Sequence, residues 1–230
     1  MINSNSSLIS VSISNDGLGT NFISPLEILG NKYFGAQPGI PYSFKIKNLT
    51  AGRLLVVTSV DGRSIMNDKP SEVSDSGYII RPLGEIPISG YRIDDDTSAA
   101  FLPNENLERT LAAMAGGDVN KIGCVAFAIF REKDYEYRKS PTFSSEDVTR
   151  GGFTLGATKG GSVGTSVGAS KVDKVMSVEF EKATSQPVEI FELNYRPLGD
   201  LKEILNNYPF DLDNKPFSKP QTGLQNYQIQ

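Results

Sequence analysis

The stretch Ile122–Phe130, IGCVAFAIF, limits the fold more than any other segment. It passes without one polar alternation, so neither of its faces can meet water, and it is predicted as a central strand covered on both sides. With 230 residues the chain can surround such a strand with a substantial core and needs no cross-links. Its single cysteine, Cys124, lies inside this run and is read as a small core residue. One cysteine excludes an internal disulfide and favours an intracellular or particle-borne location over secretion.

The stretch from Leu54 to Arg92 sets the sheet pattern around it. Val56, Val57 and Val60 form a β-branched run that leads into Asp61-Gly62. Gly62 takes positive φ without a Cβ clash and Asp61 can bond its own backbone, so the chain must turn there. Gly77-Tyr78-Ile79-Ile80 and Ile86-Pro87-Ile88 resume the strand pattern, and Gly90-Tyr91-Arg92 repeats the glycine-aromatic junction. Asp61, Gly62, Gly77, Tyr78, Gly90, Tyr91 and Arg92 are therefore read as residues that determine turns and fold.

Taken in order, the chain opens with Leu8, Ile9, Val11 and Ile13 spaced by serines, a strand with one apolar face. It is either an edge strand or an arm that adds to a neighbouring subunit's sheet, which makes these four residues candidates for subunit contact. Leu26 to Leu29 is a short run, the segment from Gly30 to Pro41 reads as loop, and Tyr42, Phe44 and Ile46 give a strand with an aromatic inner face. Asp94-Asp95-Asp96 reads as a solvated acidic turn, since it lacks the alternating ligands and tight glycine turn of a calcium site. Ala99 to Phe101 reads as a strand stopped by Pro103. Residues 105 to 115 read as a helix or a pair of helical turns, with Leu107, Leu111 and Met114 on one face and a cap at Gly116-Gly117. Glycine recurs so densely over 140–170 that this stretch is expected to be a loop rather than core. Val175, Val178 and Phe180 are then expected to pair in a hairpin with the strand carrying Val188, Ile190, Phe191, Leu193 and Tyr195. A short helix over Leu198 to Leu205 follows, and the chain ends in a proline-interrupted tail anchored by Phe210, Leu212, Phe217 and Tyr227, further candidates for subunit contact. Three parts result: an N-terminal arm or edge strand (1–24), one sandwich domain (25–207) and an extended tail (208–230).

Several chemistries are excluded by what the chain lacks. With no histidine it has no imidazole base, no Ser-His or Cys-His nucleophile pair and no His-ligated metal. With no tryptophan it lacks the commonest platform for sugar stacking, although Tyr33, Tyr78, Tyr91, Tyr135 and Tyr137 could line a glycan site instead. A carboxylate enzyme would have to draw its pair from Glu132, Asp134, Glu179 or Glu181. The net charge of −4 and the scattered Lys and Arg residues give no nucleic-acid surface. The first residues lack a signal-peptide pattern, and no apolar run reaches membrane length, so neither export by a signal peptide nor a membrane partner is expected. No cofactor and no metal are expected. Asn48-Leu49-Thr50 matches the glycosylation pattern but carries little weight without a signal peptide.

Ser59-Val60-Asp61-Gly62, Gly77-Tyr78-Ile79-Ile80, Gly90-Tyr91-Arg92 and Ala100-Phe101, followed by Ile122-Gly123 and Phe130-Arg131-Glu132, form an ordered series. The series resembles a recurrent pattern in uncharacterised proteins of bacteria and of large viruses or phages, over roughly residues 40 to 200. The resemblance speaks of fold and implies no activity. Together these readings give an all-β chain: an antiparallel β-sandwich of jelly-roll type with one or two short helices and extended terminal arms. The expected function is a non-enzymatic structural component of a virus or phage particle, a homo-oligomer assembled in the host cytoplasm and contacting other particle proteins. A monomeric module binding a ligand such as a glycan is the alternative.

Overall fold

The computed structural model of the chain describes residues 6–28, 30–114, 121–133, 152–154 and 163–207. In chain order its strands are β1 (Ile9–Ser14), β2 (Leu26–Ile28), β3 (Asn31–Ala36), β4 (Ser43–Asn48), β5 (Leu54–Val60), β6 (Arg63–Ser64), β7 (Glu72–Ser74) and β8 (Tyr78–Ile80). They continue with β9 (Glu85–Ile88), β10 (Gly90–Arg92), β11 (Thr97–Asn104), β12 (Cys124–Arg131), β13 (Gly152–Thr154), β14 (Gly164–Val172) and β15 (Glu189–Pro197). A 3-10 turn at Leu107–Arg109 precedes α1 (Leu111–Met114), and α2 (Leu198–Asn207) follows β15.

The chain folds as an all-β sandwich. One layer runs β2-β3-β15-β12-β5-β6, with β8 also paired to β5. The other consists of β1-β4-β9 and β10-β11-β14, linked by an antiparallel bridge between Tyr42 and Phe101. The layers meet through aromatic side chains: Phe44 packs edge-on against Phe127, with ring centroids 5.7 Å apart. Phe34 and Phe101 flank Tyr42, each at 5.3 Å.

As its apolar run requires, β12 sits between β15 and β5 and is covered on both faces. Val125, Phe127 and Ile129 point into the main core. Ala126, Ala128 and Phe130 form a second, smaller core with Leu55, Val57 and Ile79, closed over by Val73, Val178, Phe180 and Ile190. Cys124, at the strand's start, is only half-buried, since the uncovered end of a strand begins there.

The structure departs from the sequence reading in several places. Leu8, Ile9, Val11 and Ile13 are buried in the chain's own core, because their one-sided strand pairs with β4 of the same chain as an edge strand rather than projecting as an arm. The segment after Gly30 is strand, not loop: β3 pairs in parallel with β15, the one parallel pair in an otherwise antiparallel arrangement among the described residues. The strand β11 continues through Pro103, whose carbonyl accepts from the Gly39 N–H at 3.0 Å. The end of the glycine-rich stretch is the strand β14, paired with β11 along its length. Val175 to Phe180 form no strand, and β15 pairs with β12 and β3 rather than with them. The apolar residues there are explained by the small core that Val178 and Phe180 cover. The 105–115 segment forms a 3-10 turn and one short helix, with Met114 turned to solvent. Leu201 of α2 is buried, and that helix runs on to Asn207. The candidate contacts Phe210, Leu212, Phe217 and Tyr227, and the Gly116-Gly117 cap, lie outside the described residues. No helix among them is long and apolar enough to cross a membrane.

Candidate functional site

The most unusual chemistry of the molecule gathers at the turn that the sequence marks. Asp61 and Gly62 both take left-handed backbone, with φ of 53° and 77°, and join β5 to β6. Asparagine and aspartate tolerate this region better than other non-glycine residues, and two successive positive φ values match the twist of a two-residue hairpin. The Asp61 side chain does not bond its own turn. It points into the protein and is 1% exposed.

Three segments converge on that carboxylate. The Gly123 N–H donates to Oδ1 at 2.8 Å, and the Thr165 N–H donates to Oδ2 at 2.7 Å. The Tyr195 hydroxyl donates to the carboxylate, 2.7 Å from either oxygen. The Asp61 N–H itself donates to the Cys124 carbonyl at 2.9 Å. Beyond Tyr195 the chain of hydroxyls continues: the Thr165 Oγ1 lies 2.8 Å from the Tyr195 hydroxyl and 2.7 Å from that of Tyr42. Tyr195 gives its proton to Asp61, so Thr165 must donate to Tyr195 and Tyr42 must donate to Thr165. Asp61 thereby ties β5 and β15 of one layer to β14 and the start of β4 in the other.

Burial drives the electrostatics. Removal from water pushes the Asp61 carboxyl up to about 6, against the pull of its donors Thr165, Tyr195 and Gly123. Burial likewise raises the Tyr42, Tyr91 and Tyr195 hydroxyls well above the ordinary tyrosine range, and the Asp61 charge adds to this. Such a site is a preorganised, dry hydrogen-bond array.

The other fold-determining residues of the sequence reading surround this centre in different ways. Gly77 and Gly90 are glycines for close approach, not for positive φ. A Cβ on Gly77 would run into the Val56 carbonyl, and one on Gly90 would run into the Ala99 carbonyl. Tyr78 and Tyr91 are buried. Arg92 is buried too, with its Nη2 donating to the Tyr78 hydroxyl at 2.9 Å and to the Asp173 Oδ2 at 3.1 Å, and its Nη1 donating to the Asp173 carbonyl. This arginine staples the segment after β14 onto β10.

Two of the carboxylates considered for an acid and base pair are ion-paired. Glu132 is held by Arg53 and Glu181 by Lys133, the latter at 2.6 Å. The Glu179 carbonyl accepts from Arg53, and Asp134 lies outside the described residues. Of the tyrosines expected around a glycan face, Tyr78 and Tyr91 are core and Tyr33 is half-buried with the Arg196 guanidinium 6.0 Å from its ring centroid. Tyr135 and Tyr137 are outside the described residues. In the acidic turn Asp94 accepts from the Asp96 and Thr97 N–H groups, which holds its carboxyl below the usual range. Among the described residues no group of three or more His, Cys, Asp or Glu side chains could hold a metal ion.

Sequence reasoning finds Asp61 and misses its partners. Tyr42 and Tyr195 carry no local mark that distinguishes them from core aromatics. Thr165 lies in the glycine-rich stretch, where the spacing of Val163, Thr165 and Val167 between small residues is the one available sign of a strand. In comparisons with protein-family models, curated proteins and solved structures, the chain matches none.

Proposed function

We propose that the chain is a non-enzymatic structural component of a virus or phage particle, a jelly-roll capsid, vertex or spike-base protein acting through contacts with its own copies and with other particle proteins. It is assembled in the host cytoplasm. The observation that supports this reading is the division of labour among side chains. The buried polar groups of Asp61, Thr165, Tyr42, Tyr195 and Arg92 all bind other parts of the same chain. Apolar side chains, by contrast, stand in solvent on an outer strand: Val167 is 49% exposed and Val172 is 77% exposed on β14, which ends the β10-β11-β14 sheet. Outer strands with apolar side chains suit contact with another protein.

The test is the solution mass of the full chain by light scattering after size exclusion, beside the double variant Val167→Lys/Val172→Lys. A species larger than the monomer that falls to the monomer in the variant supports assembly through this strand. A monomer at every concentration overturns self-assembly.

A further inference from the structure

The hydroxyl chain at Asp61 has a property beyond that of a fixed cross-link. Its hydrogen-bond links number three, Tyr42 to Thr165, Thr165 to Tyr195 and Tyr195 to Asp61, and its hydroxyl protons also number three. With Asp61 ionised, each proton fills one link and every oxygen is used. Adding a proton to the carboxyl gives four protons for three links. When the carboxyl uses its new proton to donate to Tyr195, Tyr195 donates to Thr165 and Thr165 to Tyr42, and the Tyr42 proton is left without a link in the chain. A buried donor without an acceptor is costly, so the two protonation states favour different arrangements around Tyr42.

We propose that Asp61 and its hydroxyl chain form a built-in proton switch, in which protonation of the carboxyl reverses the direction of all three hydrogen bonds and transmits the change from the β5–β6 turn to Tyr42 at the start of β4. The proton comes from solvent, and no bond other than O–H and hydrogen bonds is made or broken. The groups facing Asp61 are few. Gly123 and Thr165 offer backbone N–H groups, and Tyr195 on β15 and Tyr42 before β4 offer hydroxyls. Tyr91 on β10 feels the Asp61 charge, although its buried hydroxyl has no hydrogen-bond partner among the described residues. Arg63 on β6 binds Asp68 through its Nε and Nη2 while its buried Nη1 has no partner among the described residues, and the Lys121 stem lies over Gly62. Neither of these cations is bonded to the carboxylate, which suits a group that changes state under mildly acidic conditions, with burial setting the midpoint at about 6.

The experiment is a nuclear magnetic resonance titration of the full chain from about pH 4 to about pH 8, following the Asp61 carboxyl carbon and the ring carbons of Tyr42 and Tyr195. The expected result is one shared midpoint at all three residues. In the Thr165→Val variant, which lacks the middle hydroxyl, Tyr195 continues to follow Asp61 and Tyr42 goes flat. A carboxyl that does not titrate in this range overturns the switch. A flat Tyr42 in the unaltered chain overturns the relay, and so does a Tyr42 that still follows Asp61 in the variant. Should the variant fail to fold, the titration of the unaltered chain decides alone.

Discussion

The Thr165 backbone N–H donates to the Asp61 carboxylate across a sequence separation of 104 residues, in a part of the protein that water does not reach. The bond carries the start of β14 against the β5–β6 turn. Removing the carboxylate in Asp61→Ala leaves that N–H, the Gly123 N–H and the Tyr195 hydroxyl without their acceptor. The expected loss is about 4 kcal/mol of stability, measured by denaturant unfolding. A loss comparable to that of a surface substitution would contradict the hydrogen-bond geometry.

Asp61 also gives stability a specific pH dependence. Its folded carboxyl titrates at about 6, above its ordinary value of 3.8, so the folded state binds this proton more tightly than the unfolded chain does. The resulting stabilisation is fully present below about pH 4 and is lost as pH rises through about 6, a difference of roughly 3 kcal/mol. Asp75 and Glu192, both raised by burial, contribute in the same direction. The difference between the unaltered chain and Asp61→Asn isolates the Asp61 share: the melting temperature of the former falls more steeply between about pH 4 and about pH 7. Parallel curves would count against it.

Asn48 is sealed inside the fold. Its side-chain nitrogen lies 2.8 Å from the Gly52 carbonyl, 3.0 Å from that of Arg81 and 3.1 Å from that of Ile80, while its oxygen accepts from the Thr50 N–H at 2.8 Å. Asn48→Asp sets a carboxylate against three carbonyl oxygens and is expected to cost about 3 kcal/mol or more. For the same reason the Asn48-Leu49-Thr50 pattern stays unmodified once the chain has folded, and mass spectrometry after expression in a glycosylating host checks this.

Gly90 and Gly77 are places where two backbones touch. Gly90→Ala must push β10 away from the Ala99 carbonyl, and Gly77→Ala must push the start of β8 away from that of Val56. Each is expected to lower stability by about 2 kcal/mol. Gly52→Ala, where an added Cβ meets nothing within 4 Å, serves as the neutral control. Thermal melts of the three variants rank them directly.

The parts of this fold that are legible in the sequence are those written in local pattern. The unbroken apolar run of Val125 to Phe130 gives the central strand, the alternation at Tyr42, Phe44 and Ile46 gives a core-facing strand, and Asp61-Gly62 gives the hairpin. The illegible parts depend on distant partners. Asn31–Ala36 is a strand because β15 lies beside it, which nothing within the segment announces. Gly164–Val172 owes its place to smallness: a side chain on Gly164 would collide with Thr110 and Ile122, so the absence of apolar bulk that reads as loop is what lets the strand fit. Val178 and Phe180 mislead in the opposite sense, being apolar because they roof a sheet to which they do not belong. In the candidate site, Asp61 carries a turn signature, whereas Tyr42, Thr165 and Tyr195 become its partners only in three dimensions.

The position of β15 bears on how the chain is made. This strand stands between β3, near the start of the chain, and β12, and it is the last of the described strands to be synthesised. Until it leaves the ribosome, the layer that holds β12 has a vacant slot at its middle, flanked by strands whose pairing edges are open. The sandwich therefore closes late and by a long-range step, and a nascent chain paused before residue 189 exposes the unpaired side of β12 that the finished protein conceals.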